Sequence, residues 1–290
     1  MSLASDLVRL ARPHQWVKNA FVFTGLLFGH AWGDPRLLSM ALLAAAAFCL
    51  ASSGVYVVND VLDREADRHH PRKRARPIAA GRVSTTAAVA YALALWAAAF
   101  TLGGLSSRAV LMFLCLYVAL NIAYSARLKQ VVLVDVFIIA AGFMLRILAG
   151  TTGLGIEPSR WLLLCGLMVT LFLGLAKRSA EIAEPPDAAI SHRKVLGQYS
   201  SNLLTGLLNI TAAGVILSYA LYTMAPRTIE THGTEDLIFT APVVIYGVFR
   251  YLYLLDQENA GVDAASDILR DPHLIGSGVL WAVLTWLLIR

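Results

Sequence analysis

Asn59, Asp60, Asp63 and Asp67 lie in the stretch VVNDVLDREADRHHPRKRARPIAAGRVS, where an apolar segment runs out into charge. At 100° per residue these four side chains occupy an arc of about 100° on one helix face, with Glu65 roughly opposite. Three carboxylates that converge in this way repel one another, and a cation between them offsets the repulsion. Magnesium suits the set: a hard ion that takes one or two carboxylates and fills its octahedron with water and substrate phosphate oxygens. Asp60, Asp63 and Asp67 are therefore the expected metal-holding and catalytic residues, with Asn59 adding a neutral contact. The plainer reading is a solvated helix end with pairs such as Asp60 with Arg64. Because the acidic face continues from an apolar segment, the site reading is preferred.

Directly behind the acids come Arg72, Lys73, Arg74 and Arg76, in a loop closed by Pro77. Alone, such a run reads as a topology signal or a lipid-headgroup contact. Beside three carboxylates it also supplies bidentate donors for the phosphate oxygens of a metal-bound diphosphate, so Arg72, Arg74 and Arg76 join the substrate-binding set. His69 and His70 are adjacent, diverge by about 100° on a helix, and are read as loop residues.

Further groups fall at segment ends. Lys18, next to Asn19, either contacts the substrate phosphate or snorkels to the membrane surface. Tyr124, Arg127, Lys129 and Asp135 either grip the substrate or cap a tight helical hairpin. Lys177 and Arg178 suit an anionic acceptor, or they flank a span with a Lys177 to Glu181 ion pair. Arg146 lies inside an apolar segment, where an arginine costs about 3 kcal/mol or more, so it is expected to face a protein interior and to pair there.

Elements that could position these residues follow from composition. Of 290 residues, 58% are hydrophobic and 15% charged, a balance that no water-soluble surface carries. Nine apolar segments, near 15–31, 37–62, 85–104, 108–126, 131–150, 158–178, 200–225, 237–255 and 273–289, are candidate membrane helices. Irregular backbone cannot face lipid, so the fold class is all-α, a polytopic bundle formed by one domain over residues 1–290. Residues 2–12 read as an interfacial amphipathic helix rather than a cleavable signal.

Only Arg36, Arg108, Arg160, Arg227 and Arg290 fall in one set of loops; apart from Arg146, every other lysine and arginine falls in the opposite set. Positive residues stay inside, so the N-terminus and the acidic motif are expected on the cytoplasmic face of the cell membrane. The net charge of +5 is explained by that topology and by anionic headgroups rather than by nucleic acid. Cys49, Cys115 and Cys165 have no CxxC spacing and read as packing residues. A homo-oligomer is left open.

NDVLDREAD followed by RPIAAGRVS resembles the first aspartate motif and following loop of the UbiA superfamily of intramembrane prenyltransferases. The resemblance covers nearly the whole chain and implies a nine-helix fold, cytoplasmic loops capping the active site, and Mg2+ on a diphosphate substrate. Conventional members carry a second aspartate motif after the sixth helix. Here LGLAKRSAEI places Lys177 and Arg178 where acids are expected, leaving only Glu181. With PHQWVKN and YSARLKQVVLVDVFIIAAGFMLRILAG, this departure is similar to one branch of the superfamily. That branch is expected to move 5-phosphoribosyl from phosphoribosyl pyrophosphate to polyprenyl (decaprenyl) phosphate, releasing pyrophosphate, towards cell-envelope arabinan precursors. The alternative is prenyl transfer from a prenyl diphosphate to an aromatic acceptor. A transporter with an intramembrane ion site fits less well, because the acids gather at one end of a span rather than at its middle.

Overall fold

The computed structural model describes residues 2–71, 73–183, 196–257, 261, 267–268 and 270–289, and among them every regular element is helical. Capping residues set half of the α-helix starts. Ser2 accepts from the Ser5 amide ahead of α1 (Leu3–Ala11), and Asp34 caps α3 (Pro35–Leu62), which has Pro35 at its first position. Between them run a 3-10 helix over Pro13–Phe23 and the short α2 (Thr24–Phe28). A brief α4 (Arg64–His69) follows α3. Ser84 and Ser107 cap α5 (Thr85–Ser106) and α6 (Arg108–Ala126). Then come α7 (Val134–Gly150), α8 (Arg160–Ala183), α9 (Ser201–Thr223), α10 (Pro226–His232), α11 (Ala241–Gln257) and α12 (Pro272–Leu288), the last capped by Asp271.

Seven helical segments among the described residues are long and apolar enough to cross a membrane, namely α3, α5, α6, Val134–Leu154, Arg160–Ile182, α9 and Asp236–Gln257. The chain is an integral membrane protein. Two of the nine expected segments differ. Residues 15–31 form the 3-10 helix and α2 rather than one long α-helix, because the chain turns after Gly29 through His30 at φ 51°, and α12 is apolar but only 17 residues long. The expected interfacial helix at 2–12 is α1, with Leu3 and Val8 exposed and Leu10 buried.

The described residues divide into two compact units. The first, residues 2–138 and 145–157, is centred on α3. Ala41, Ala44, Phe48, Ala51 and Val55 recur at helical spacing on its buried face and pack with Leu114, Val110 and Val118 of α6. Small residues let backbones come close. Gly54 admits the Trp96 indole of α5, whose Nε1 donates to the Ala51 carbonyl at 3.2 Å. Gly150 admits the Val22 carbonyl, and Gly25 admits the Gly150 carbonyl.

The second unit, residues 139–144, 158–183 and 196–289, pairs α8 with α9. Leu171, Phe172, Leu175, Leu204, Leu208 and Val215 are buried there, and Gly214 seats the Met168 side chain. Tyr219 accepts from Trp281 Nε1 at 2.6 Å and lies 2.6 Å from Thr240 Oγ1. Arg250 pairs with Asp271 at 2.6 Å, and with this contact the Asp271 carboxyl is held below the usual carboxylate range.

A Cβ placed on Gly150 would stand 1.7 Å from the Val22 carbonyl oxygen, a backbone atom. Gly150→Ala is expected to destabilise the protein by about 3 kcal/mol or more, the upper end for overpacking, read as a lower melting temperature in detergent. An unchanged melting temperature would contradict this packing.

Candidate active site

At the end of α3 the backbone leaves helical geometry at Asp63 (φ −88°, ψ 4°) and restarts as α4 at Arg64. The 100° progression that would carry Asp60, Asp63 and Asp67 along one face is therefore interrupted. Asp60 and Asp67 are buried, at 3% and 4% exposure. Arg76 joins them through a single nitrogen, with Nη1 3.0 Å from Asp60 Oδ1 and 2.6 Å from Asp67 Oδ2. Asp63 instead accepts from Lys129 Nζ at 2.7 Å. Among the described residues no three carboxylate, imidazole or thiol groups converge on one ion-sized site. The donor set still fits a divalent cation, since two buried carboxylates already share one positive charge.

The loop behind α4 is folded to bring Arg76 to this pair. Arg68 Nε donates to the Ala79 carbonyl at 3.3 Å, and Arg82 donates to the Ala75 carbonyl at 3.0 Å and to Asp6 of α1 at 3.1 Å. Glu65 stands apart, exposed, its carboxyl held below the usual range by Arg64 and then Arg68. Arg64 is thus engaged by Glu65 and not by Asp60.

The other expected residues are distributed unevenly. Asn59 accepts from Ser125 Oγ at 3.3 Å, which ties the acidic end of α3 to the end of α6. Lys129 sits on a 3-10 turn over Leu128–Gln130, Tyr124 is half-buried on α6, and Arg127 is exposed. Asp135 is fully buried in the first turn of α7, after Leu133 at φ 66°. Lys18 is half-buried on the 3-10 helix and Arg74 is exposed. Arg72 lies outside the described residues. In the second unit, Arg178 is fully buried and pairs with Glu181, while Lys177 is half-buried. Glu181 is thus engaged at i,i+3 by Arg178.

Arg12 was read from sequence only as a topology charge, yet its Nη2 lies 2.5 Å from Asp60 Oδ1 and its guanidinium stands 5.0 Å over the Tyr56 ring. The available signal was Pro13, which turns the chain at the end of α1. Arg146 is buried as expected. Its Nε donates to Asn19 Oδ1 at 2.7 Å, its Nη2 to the Tyr117 hydroxyl at 3.0 Å, and it stacks 4.5 Å over the Tyr117 ring. Asn19 in turn donates to Cys49 Sγ at 3.2 Å, one of three free thiols.

Residues 19–269 match the UbiA prenyltransferase family. The chain is 36% identical over 225 residues to a decaprenyl-phosphate phosphoribosyltransferase of Corynebacterium glutamicum, covering 76% of this chain and 68% of that one. It is 32% identical over 287 residues to the protein of the same name from Mycobacterium tuberculosis, covering 97% and 93%. In fold it is similar to a UbiA homologue from Archaeoglobus fulgidus solved with GPP and Mg2+, at TM-score 0.72 and 19% identity over 97% of this chain and 96% of that one.

Arg146→Met would strand Asn19 Oδ1 and the Tyr117 hydroxyl in a buried setting. The expected cost is about 2–4 kcal/mol of stability, visible as a lower melting temperature. A variant that melts with the parent protein would show that these contacts carry no stability.

Proposed function

The chain belongs to the UbiA prenyltransferase family, and from that premise we propose that it transfers 5-phosphoribosyl from phosphoribosyl pyrophosphate to a polyprenyl phosphate. The observation that carries this reading is the pairing of one acidic motif with a basic second one. Relatives of this name share 32–36% identity with the chain, and LGLAKRSAEI presents Lys177 and Arg178 where a conventional member holds acids. Two anionic substrates need such a division of charge. The donor's diphosphate calls for a cation held by acids, and the acceptor's monophosphate calls for bases.

In this reading Asp60, Asp63 and Asp67 hold Mg2+, with Asn59 beside them. The ion, when bound, supplies Lewis-acid stabilisation of the departing diphosphate. Arg72, Arg74 and Arg76 take diphosphate oxygens, while Lys18, Tyr124, Arg127, Lys129 and Asp135 orient the phosphoribosyl group. Lys177 and Arg178 hold the acceptor phosphate. The acceptor oxygen forms a bond to the anomeric carbon as the bond from that carbon to pyrophosphate breaks, through a transition state of oxocarbenium character. A phosphate monoester has a second pKa of about 6, so it attacks as a dianion and leaves no proton for a side chain to remove. The reaction serves synthesis of cell-envelope arabinan precursors.

The basic loops set the orientation, with the N-terminus and site on the cytoplasmic side of the cell membrane. All nine apolar segments, 15–31 and 273–289 included, are read as entering the bilayer.

Purified protein given Mg2+, polyprenyl phosphate and phosphoribosyl pyrophosphate labelled in the ribose is expected to move label into the lipid phase. Chelation with EDTA should abolish the transfer and added Mg2+ should restore it. Label that stays in water while a prenyl diphosphate donor prenylates an aromatic acceptor would replace this reading with conventional prenyl transfer. Asp63→Asn is expected to lower turnover by at least about 100-fold, the scale of a lost transition-state charge contact, with the melting temperature retained. Undiminished turnover would remove Asp63 from the site.

A further inference from the structure

Arg12 is placed with unusual care for a residue at the membrane surface. It adopts left-handed backbone angles, φ 50° and ψ 59°, ahead of Pro13, a conformation that a side chain with a Cβ disfavours. One face of α3 receives it at three successive levels. Ser53, fully buried, donates to the Ala11 carbonyl at 2.7 Å and fixes the backbone just before the turn. Tyr56 lies one turn on, under the guanidinium, and Asp60 lies a further turn on, at its Nη2. The spacing 53, 56, 60 keeps all three on one helix face. From the other end, Asp6 of α1 is clamped by Arg82 of the loop that also carries Arg76.

Asp60 Oδ1 thus receives two guanidinium groups, those of Arg12 and Arg76, and Arg76 also reaches Asp67. Two buried carboxylates are balanced by two cations. Of the five N–H donors of each guanidinium, Arg12 uses only Nη2 and Arg76 only Nη1 on acceptors among the described residues. The remaining N–H groups are suited to a second anion.

We propose that Arg12 is a donor-binding residue, which neutralises Asp60 when no metal is bound and turns its guanidinium onto the donor's diphosphate when the cation takes the carboxylates. The proposal rests on the metal and diphosphate part of the functional reading, and not on which group the diphosphate carries. Charge dictates the order. A divalent ion entering alone would crowd Arg12 and Arg76, whereas an ion entering with a diphosphate gives both guanidiniums an anion to face.

Arg12→Gln separates this role from a purely structural salt bridge, because the two signs of its effect are opposite. With Mn2+ alone as the probe, followed by its paramagnetic resonance in detergent, the variant is expected to bind the ion about tenfold more tightly. With inorganic pyrophosphate titrated at saturating Mn2+, it is expected to bind the anion at least about tenfold more weakly, the size of one charge-assisted hydrogen bond. Weaker Mn2+ binding, or pyrophosphate binding equal to that of the parent, would overturn the proposal. Should Arg12→Gln fail to fold, Arg12→Lys keeps the charge and loses the fork. It is expected to bind Mn2+ like the parent and pyrophosphate several-fold more weakly, and unchanged pyrophosphate binding there would equally overturn it. These titrations use no ribosyl donor. A parent protein that binds Mn2+ with pyrophosphate but moves no phosphoribosyl group would refute the donor assignment and leave Arg12 to be judged by the titrations.

Discussion

Two carboxylates, Asp60 and Asp67, are held out of water where an apolar helix ends, and they must be matched by positive charge in place. Much of the surrounding architecture serves that requirement. Arg76 reaches both acids only because the loop after α4 folds back, through Arg68 onto the Ala79 carbonyl and through Arg82 onto the Ala75 carbonyl. Arg12 reaches Asp60 only because α1 is fastened at Asp6 by the same Arg82 and at Ala11 by Ser53. A buried ion cluster of this kind is a poor source of stability, since apolar side chains of similar size would do as well or better. A cluster of buried acids and bases where an apolar helix ends is a candidate binding site on physical grounds.

Arg146 shows the contrast. It too is a buried charge in an apolar helix, and it meets Asn19, Tyr117 and the faces of Tyr117 and Phe48. It ties the 3-10 helix, α3, α6 and α7 of the first unit together close to where Gly150 and Gly25 let backbones touch. We read it as a framework residue, whereas the Arg12 and Arg76 guanidiniums, with N–H groups to spare, belong to the proposed diphosphate site.

Helical class, membrane character and the family were legible in the sequence because they rest on local signals: apolar length, capping residues and the NDVLDREAD motif. The arrangement of the three aspartates was legible only in part. Periodicity assumed an unbroken helix, but the backbone departs at Asp63, where Lys129, 66 residues away, takes the carboxylate. No local pattern reports a partner that distant. Arg12 was missed for a related reason: its left-handed turn and its seat on Ser53, Tyr56 and Asp60 are tertiary facts, and its charge alone is what any cytoplasmic flank would show. Residues 15–31 were apolar enough to suggest a span, while the turn at His30 (φ 51°) is a backbone feature that apolar length does not report.

The most direct test of the central claim is a structure of the protein with Mg2+ and phosphoribosyl pyrophosphate. The account predicts a metal ion held by Asp60, Asp63 and Asp67, with Arg76 moved off Asp60 and Asp67 and onto the diphosphate. A donor bound elsewhere, with Arg76 still bridging the two aspartates, would contradict it.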